Sequence, residues 1–171
     1  MATKLFVKET VGSTFKACSD VVHLRTEERL QFIDLTELVR ERVRRSSVVH
    51  GLVNVHTKHT TTALVVNENE PLLLSDFEDL VERWAPRSAP YRHNDLHARR
   101  FQLPLDERPN GDSHARALLL GMSVSLNITD GQIQLGEFQR IFLVELDGVR
   151  RRSVSILVLG MAGEPERELP L

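Results

Sequence analysis

Residues 122–159, MSVSLNITDGQIQLGEFQRIFLVELDGVRRRSVSILVL, constrain the fold more than any other stretch. Four strand-like runs, 122–129, 132–135, 138–146 and 149–159, follow one another with almost nothing between them. Two of the breaks are Asp-Gly pairs, Asp130-Gly131 and Asp147-Gly148. A two-residue connection of type I′ needs positive φ at both positions, which Asp-Gly tolerates best, so each pair predicts a hairpin. Successive hairpins imply antiparallel pairing.

Ahead of this block the chain mixes strands with helices. Leu5 and Val7 alternate with Lys4 and Lys8, a first strand, and 14–24 reads as a second. Asp34 stands three residues before Glu37, a capping-box-like pair, and Leu35, Leu38, Val39 and Val43 follow at helical spacing. Val48 to Val55 and Ala63 to Val66 read as a buried strand pair. Pro71 opens a second helix with Leu73, Leu74, Phe77, Leu80, Val81 and Trp84 on one stripe. Residues 87–112 hold three prolines and little periodicity, a long irregular segment of the kind that carries function. Ser113 begins a short helix closed by Gly121. The expected class is α+β, a sandwich-like antiparallel sheet system with two or three helices. The 171 residues fit a single domain, with 164–171 as a frayed tail.

Composition narrows the partners. A net charge of −2 and a pI near 6.4 argue against nucleic acid or an anionic membrane as the general partner. Cys18 is the only cysteine, so neither an intrachain disulfide nor a cysteine zinc site can form. No apolar stretch approaches the ~20 residues that span a bilayer. The N-terminus has no signal-peptide core, so a cytoplasmic location is the expectation.

Polar chemistry interrupts the apolar pattern in three places. The run NVHTKHTTTALVVNENE, residues 54–70, sets His56, His59 and three threonines among buried-strand residues and ends in Asn67-Glu68-Asn69-Glu70. In a continuous strand His56 and His59 point to opposite faces, so only one faces a pocket unless the chain bends. The threonines favour His59. The last four residues serve equally as a pocket edge or as a cap ahead of Pro71. The second place is YRHNDLHARR, with His93, Asn94, Asp95 and His97; the third is NGDSHARALLLG, with His114 in the first turn of a helix. His23 and His50 have no supporting neighbours. Three separated imidazoles with an open fourth position match a catalytic zinc site. The helix N-terminus at Asp112–His114 is also suited to phosphate or carboxylate.

The ordered motifs HTTTALVVNENE, YRHND, NGDSHARALLLGMSV and DGQIQLGEFQRIFLVELDGVRRR resemble the YjbQ-like family, which carries the label secondary thiamine-phosphate synthase. The likeness runs from about Gly51 to Gly160. It implies a compact α+β trimer with pockets near subunit contacts and a histidine-rich site that sometimes holds metal. Matched motif by motif, His59 belongs to H-T-[TS], Asn67 and Glu68 to N-E, His93 to Y-x-H, Asn110 and His114 to N-x-x-x-H, and Gly136 and Gln139 to G-x-[WF]-Q. Phe138 stands where the family usually has tryptophan, and Val149 replaces a common proline.

The resemblance thus implies His59, His93 and His114 as ligands of a divalent metal, zinc first and magnesium left open. Glu68, Asp95 and His97 are the catalytic candidates. Thr60, Thr61, Asn67, Asn110, Ser113 and Gln139 are the substrate-binding candidates. His97 competes with His93 as a ligand. The labelled reaction joins a pyrimidine diphosphate to a thiazole phosphate and releases pyrophosphate. Such a displacement needs positive charge on the leaving group, for which Arg92, Arg99, Arg100 and Arg150–Arg152 are available. The chain has no aspartate-rich magnesium motif, and a histidine site prefers softer metals. Two other readings stand beside the synthase. One is a metal-dependent hydrolase or lyase on a phosphorylated or carboxylated metabolite, with Glu68 or Asp95 as base. The other is a non-catalytic trimeric module that holds a ligand or metal.

Overall fold

The computed structural model describes residues 14–99 and 108–163. Eight strands and three helices follow in the order β1 (Thr14–Arg25), β2 (Gln31–Asp34), α1 (Thr36–Ser46), β3 (Val48–Thr57), β4 (Thr62–Glu68), α2 (Pro71–Trp84), α3 (Gly111–Leu120), β5 (Ser123–Thr129), β6 (Gln132–Ile133), β7 (Gln139–Glu145) and β8 (Arg151–Ala162). A short 3₁₀ turn, Arg92–Asn94, lies between α2 and α3. The expected strand at residues 4–8 and the tail at 164–171 lie outside the described residues.

The strands form two antiparallel sheets, β1-β8-β3-β5-β6 and β2-β7-β4. Alternation explains how they stack. Val154, Ile156 and Val158 of β8 and Val53 and Val55 of β3 face Leu64, Ile141 and Leu143 of the smaller sheet across one core, closed at the side by Val39 and Val43 of α1. The other face of the smaller sheet carries Ala63, Phe142 and Val144, covered by Leu74 of α2 and by Ala117 and Leu120 of α3. Strand β7 is therefore apolar on both faces, which is why 141–144 reads as an unbroken apolar run. At full burial a Leu143-sized side chain contributes about 2 kcal/mol. The order is sheet, sheet, helices: α+β with a sandwich at its centre.

Local chemistry sets the element ends. Gly51 and Gly160 are register partners on β3 and β8, and a Cβ on either would strike the backbone of the other strand. Glu70 caps α2, its carboxylate accepting the N–H groups of Leu72 and Leu73 at 3.0 and 2.7 Å, with Pro71 behind it. The 67–70 run thus resolves into a strand end and a cap. At α1 the N-cap is Leu35, while Asp34 accepts the Thr36 N–H at 2.8 Å from one residue further out. Glu37 does not complete a capping box and instead pairs with Arg40. Helix α3 begins at Gly111, two residues before the expected Ser113.

Two pairing expectations are corrected. Asp130-Gly131 is a hairpin, with φ of 52° and 72° and Thr129 facing Gln132. Asp147-Gly148 is not, because β7 and β8 belong to different sheets and the chain crosses the sandwich there. Likewise β3 and β4 do not pair with each other: β3 lies between β8 and β5, and β4 lies beside β7. The β3–β4 turn at 58–61 is also a crossover, as are residues 26–30 between β1 and β2 and 134–138 between β6 and β7.

Candidate functional site

The crossovers at 58–61 and 146–150 and the start of α3 meet at one end of the sandwich. The Leu146 N–H donates to the Thr61 carbonyl at 3.2 Å, tying crossover to crossover. Ser113 donates from Oγ to the Leu146 carbonyl at 2.6 Å, tying α3 to both. Beneath them lies a buried ionic network. Glu145, fully buried, accepts Arg152 Nε and Nη2 at 2.6 Å each and the N–H groups of Leu146 and Asp147. Arg152 also donates to Thr61 Oγ1 at 3.0 Å. Asp147 accepts Arg150 Nε at 2.7 Å, and Asp112 accepts Arg29 Nη2 at 3.0 Å. The carboxylate of Asp112, in the first turn of α3, complements the helix dipole from inside the protein.

His93 and His114 come together. Asn94 Oδ1 accepts the Gly111 N–H at 2.8 Å, joining the 3₁₀ turn to α3. A Cβ at residue 111 would collide with the Tyr91 side chain, so glycine allows this approach. The two imidazoles then lie 4.6 Å apart at 70°, edge to face. His93 Nε2 is buried and has no hydrogen-bond partner among the described residues.

His59 stands apart from this pair. The chain bends after Thr57, as a site-facing His59 requires, but its Nε2 accepts the Ser153 N–H at 2.8 Å and lies 3.1 Å from Ser153 Oγ. Burial, followed by repulsion from Arg152, lowers its pKa despite the opposing pull of Glu145. The neutral ring therefore has its Nε2 lone pair engaged by backbone. Among the described residues no three His, Cys, Asp or Glu side chains gather as a metal cage.

The other candidates scatter. Ser113 and Thr61 are buried, and the hydrogen bonds above use their hydroxyls in the fold, not at a solvent-facing pocket. The helix N-terminus expected to take an anion is already served by Asn94 and flanked by the Asp112 carboxylate. Thr60 is exposed on the turn. Asp95 accepts the N–H groups of His97 and Ala98 at 3.1 and 3.0 Å, and His97 is exposed. Asn110 is buried beside Asp147. Gln139 braces its own turn by accepting the Gly136 N–H. Asn67 accepts the Glu68 N–H and borders an apolar groove lined by Phe32, Phe77 and Trp84.

Distance corrects one expectation outright. Thr62 pairs with Glu145 and Glu68 with Gln139, so Glu68 closes the opposite end of β4. Six residues of strand separate the two ends by about 20 Å. Within one chain, Asn67 and Glu68 do not close the cleft beside His59.

The residues missed from sequence are Arg29, Asp112, Glu145 and Asp147. Glu145 continues the inward phase of Ile141 and Leu143, and Arg152 that of Val154 and Ile156. Two opposite charges in phase with facing apolar rows were the available signal.

Residues 20–161 match the family described as UPF0047 protein YjbQ-like. A UPF0047 protein of Methanothermobacter thermautotrophicus is 40% identical over 137 residues, covering 80% of this chain and 88% of its own length. One from Archaeoglobus fulgidus is 39% identical, covering 80% and 97%. Among solved structures, a protein of unknown function from Sulfolobus solfataricus superposes with a TM-score of 0.77 at 28% identity, covering 86% of this chain and 99% of that one. A YjbQ/UPF0047 protein of Clostridium acetobutylicum gives 0.69 at 32% identity, covering 81% and 98%.

Proposed function

The chain belongs to the UPF0047 YjbQ-like family, and on that premise we propose a small-molecule enzyme whose working groups are the His93 and His114 imidazoles. The observation that carries this reading is the edge-to-face pair itself, with the buried Nε2 of His93 left without a described partner. Two imidazoles suit a borderline metal such as zinc better than magnesium. When bound, such an ion would supply water activation or polarise a phosphoryl or carboxyl group. The chain's own part is to hold the two rings against each other through Asn94 and Gly111, and to keep the ionic network beneath them closed to water.

A catalytic zinc site has three protein ligands, and this pair supplies two. A homotrimer supplies the rest of the site in this proposal. Exposed apolar residues support assembly: Trp84 is 52% exposed, Leu118 85% and Leu119 59%, all on the helical face. The 20 Å gap also means that Glu68 and Gln139 join the histidines only from a neighbouring copy. Substrates are phosphorylated or carboxylated metabolites, and the thiamine-phosphate joining reaction is the specific case to assay.

The test is elemental analysis and turnover for wild type, His93→Ala and His114→Ala. We expect both variants to lose metal by well over tenfold in affinity and to lose turnover with it. Full stoichiometric metal and unchanged turnover in both variants would sink the reading.

A further inference from the structure

Among the described residues, four buried side-chain atoms have no hydrogen-bond partner: Arg29 Nε, His93 Nε2, Asn110 Oδ1 and Asp147 Oδ1. Roughly nine buried polar atoms in ten find partners in folded proteins, so such exceptions call for an explanation. These four are not scattered. Asn110 Nδ2 lies 3.5 Å from Asp147 Oδ2, Arg29 Nη1 lies 4.0 Å from Asp147 Oδ1, and His93 packs on His114 one turn along α3.

Asn110 is the telling member. It occupies the N-cap of α3, where an asparagine oxygen ordinarily accepts an N–H from the first turn, yet its side chain makes no cap hydrogen bond. It is 5% exposed and Asp147 is 1% exposed. A buried asparagine that serves neither its helix nor a described neighbour through Oδ1 is placed for a third party.

We propose that Asn110, Asp147 and Arg29 are the recognition floor of the site and receive an amide-like edge of the substrate. On this proposal N–H groups of the ligand donate to Asn110 Oδ1 and Asp147 Oδ1, while its carbonyl oxygen or ring nitrogen accepts from Arg29 Nε. The orphaned atoms select against a bare anion. Two of the floor's three, Asn110 Oδ1 and Asp147 Oδ1, are acceptors, so they need the N–H donors that an amide brings and that a phosphate or carboxylate, itself an acceptor, lacks. Any phosphate of the substrate lies at the rim, away from this floor. The inference rests on the enzyme reading above and assigns the substrate's recognised end.

The test uses propionamide as the probe, with propionate and inorganic phosphate as comparisons, titrated into the full-length protein and followed through the backbone amide signals of Gly111 and Gly148. We expect a saturable response to propionamide below about 100 mM, the range for so small a ligand, and none to the two anions. Asn110→Leu removes the orphaned oxygen without removing a cap. It should leave the melting temperature unchanged or raised by about 2–4 °C, and abolish the response. Arg29→Lys keeps the charge beside Asp112 but loses the Nε donor, and should weaken the response at least tenfold. A melting temperature that falls in Asn110→Leu makes the residue structural and overturns the proposal. So does a propionamide response that survives both substitutions, saturation by phosphate instead, or no response at all. None of these readouts needs metal or turnover, so this inference can fail while the enzyme reading stands.

Discussion

His59 Nε2 and the backbone N–H of Ser153, 2.8 Å apart, join the β3–β4 crossover to the start of β8. Protonation of that nitrogen removes the acceptor. Burial and Arg152 hold the folded pKa below the ordinary value, so the neutral ring is the form folding prefers. Its contribution is fully present above the unfolded pKa of ~6.5 and is lost as pH falls through the lower folded value. Melting temperature should therefore drop on acidification below about pH 6.5, and His59→Asn, which cannot titrate, should flatten that part of the curve. Parallel curves for the two proteins from pH 8 to 5 would refute the link.

The Glu145–Arg152 pair makes a sharper claim about stability. Both side chains are buried, so Arg152→Ala strands a carboxylate inside the protein and should cost about 3–5 kcal/mol. Replacing both by methionine should recover most of that loss. Urea denaturation of the single and double variants measures it, and a double variant no better than Arg152→Ala would contradict the account.

Ser113 distinguishes a fold role from a substrate role. Its hydroxyl is spent on the Leu146 carbonyl, so Ser113→Ala should cost about 1 kcal/mol while leaving metal content and KM unchanged. A large rise in KM with unaltered stability would return Ser113 to the substrate-binding set.

The proposed trimer draws on the uncovered apolar residues of α2 and α3. Light scattering at micromolar concentration should give about three times the chain mass of 19.5 kDa. Leu119→Glu should lower that mass. A monomer mass for the unaltered protein would remove the shared-pocket proposal.

Much of the fold was legible because it is written in short periods. The alternation along 151–162 and the apolar run of β7 show a buried sheet, and Asp130-Gly131 shows its hairpin. Asp147-Gly148 misled because the same dipeptide serves a crossover as well as a hairpin. Which sheet receives the next strand is decided by distant packing, not by the turn. The site was less legible. His93 and His114 meet through Asn94 and Gly111, an approach that spacing alone does not encode. Glu145, Asp147 and Arg152 look like surface charges in VELDGVRRR, and only their phase against neighbouring apolar residues betrays burial.

The bond between Leu146 N–H and the Thr61 carbonyl also has a mechanical meaning. Three of the loops that cross directly from one sheet to the other, 26–30, 58–61 and 146–150, lie at this end, and this bond clamps two of them together. At the other end one such loop, 134–138, carries the chain from β6 to β7. The sandwich is thus built like a clothes peg, pinned three times at the histidine end and once at the Glu68–Gln139 end. Fluctuations that part the sheets open from the Glu68 end first. Amide exchange at Leu146 should accordingly approach the rate set by global unfolding, while Gln139 exchanges through cheaper local openings. A rigid floor for recognition and a compliant far rim would then belong to the same small sheet.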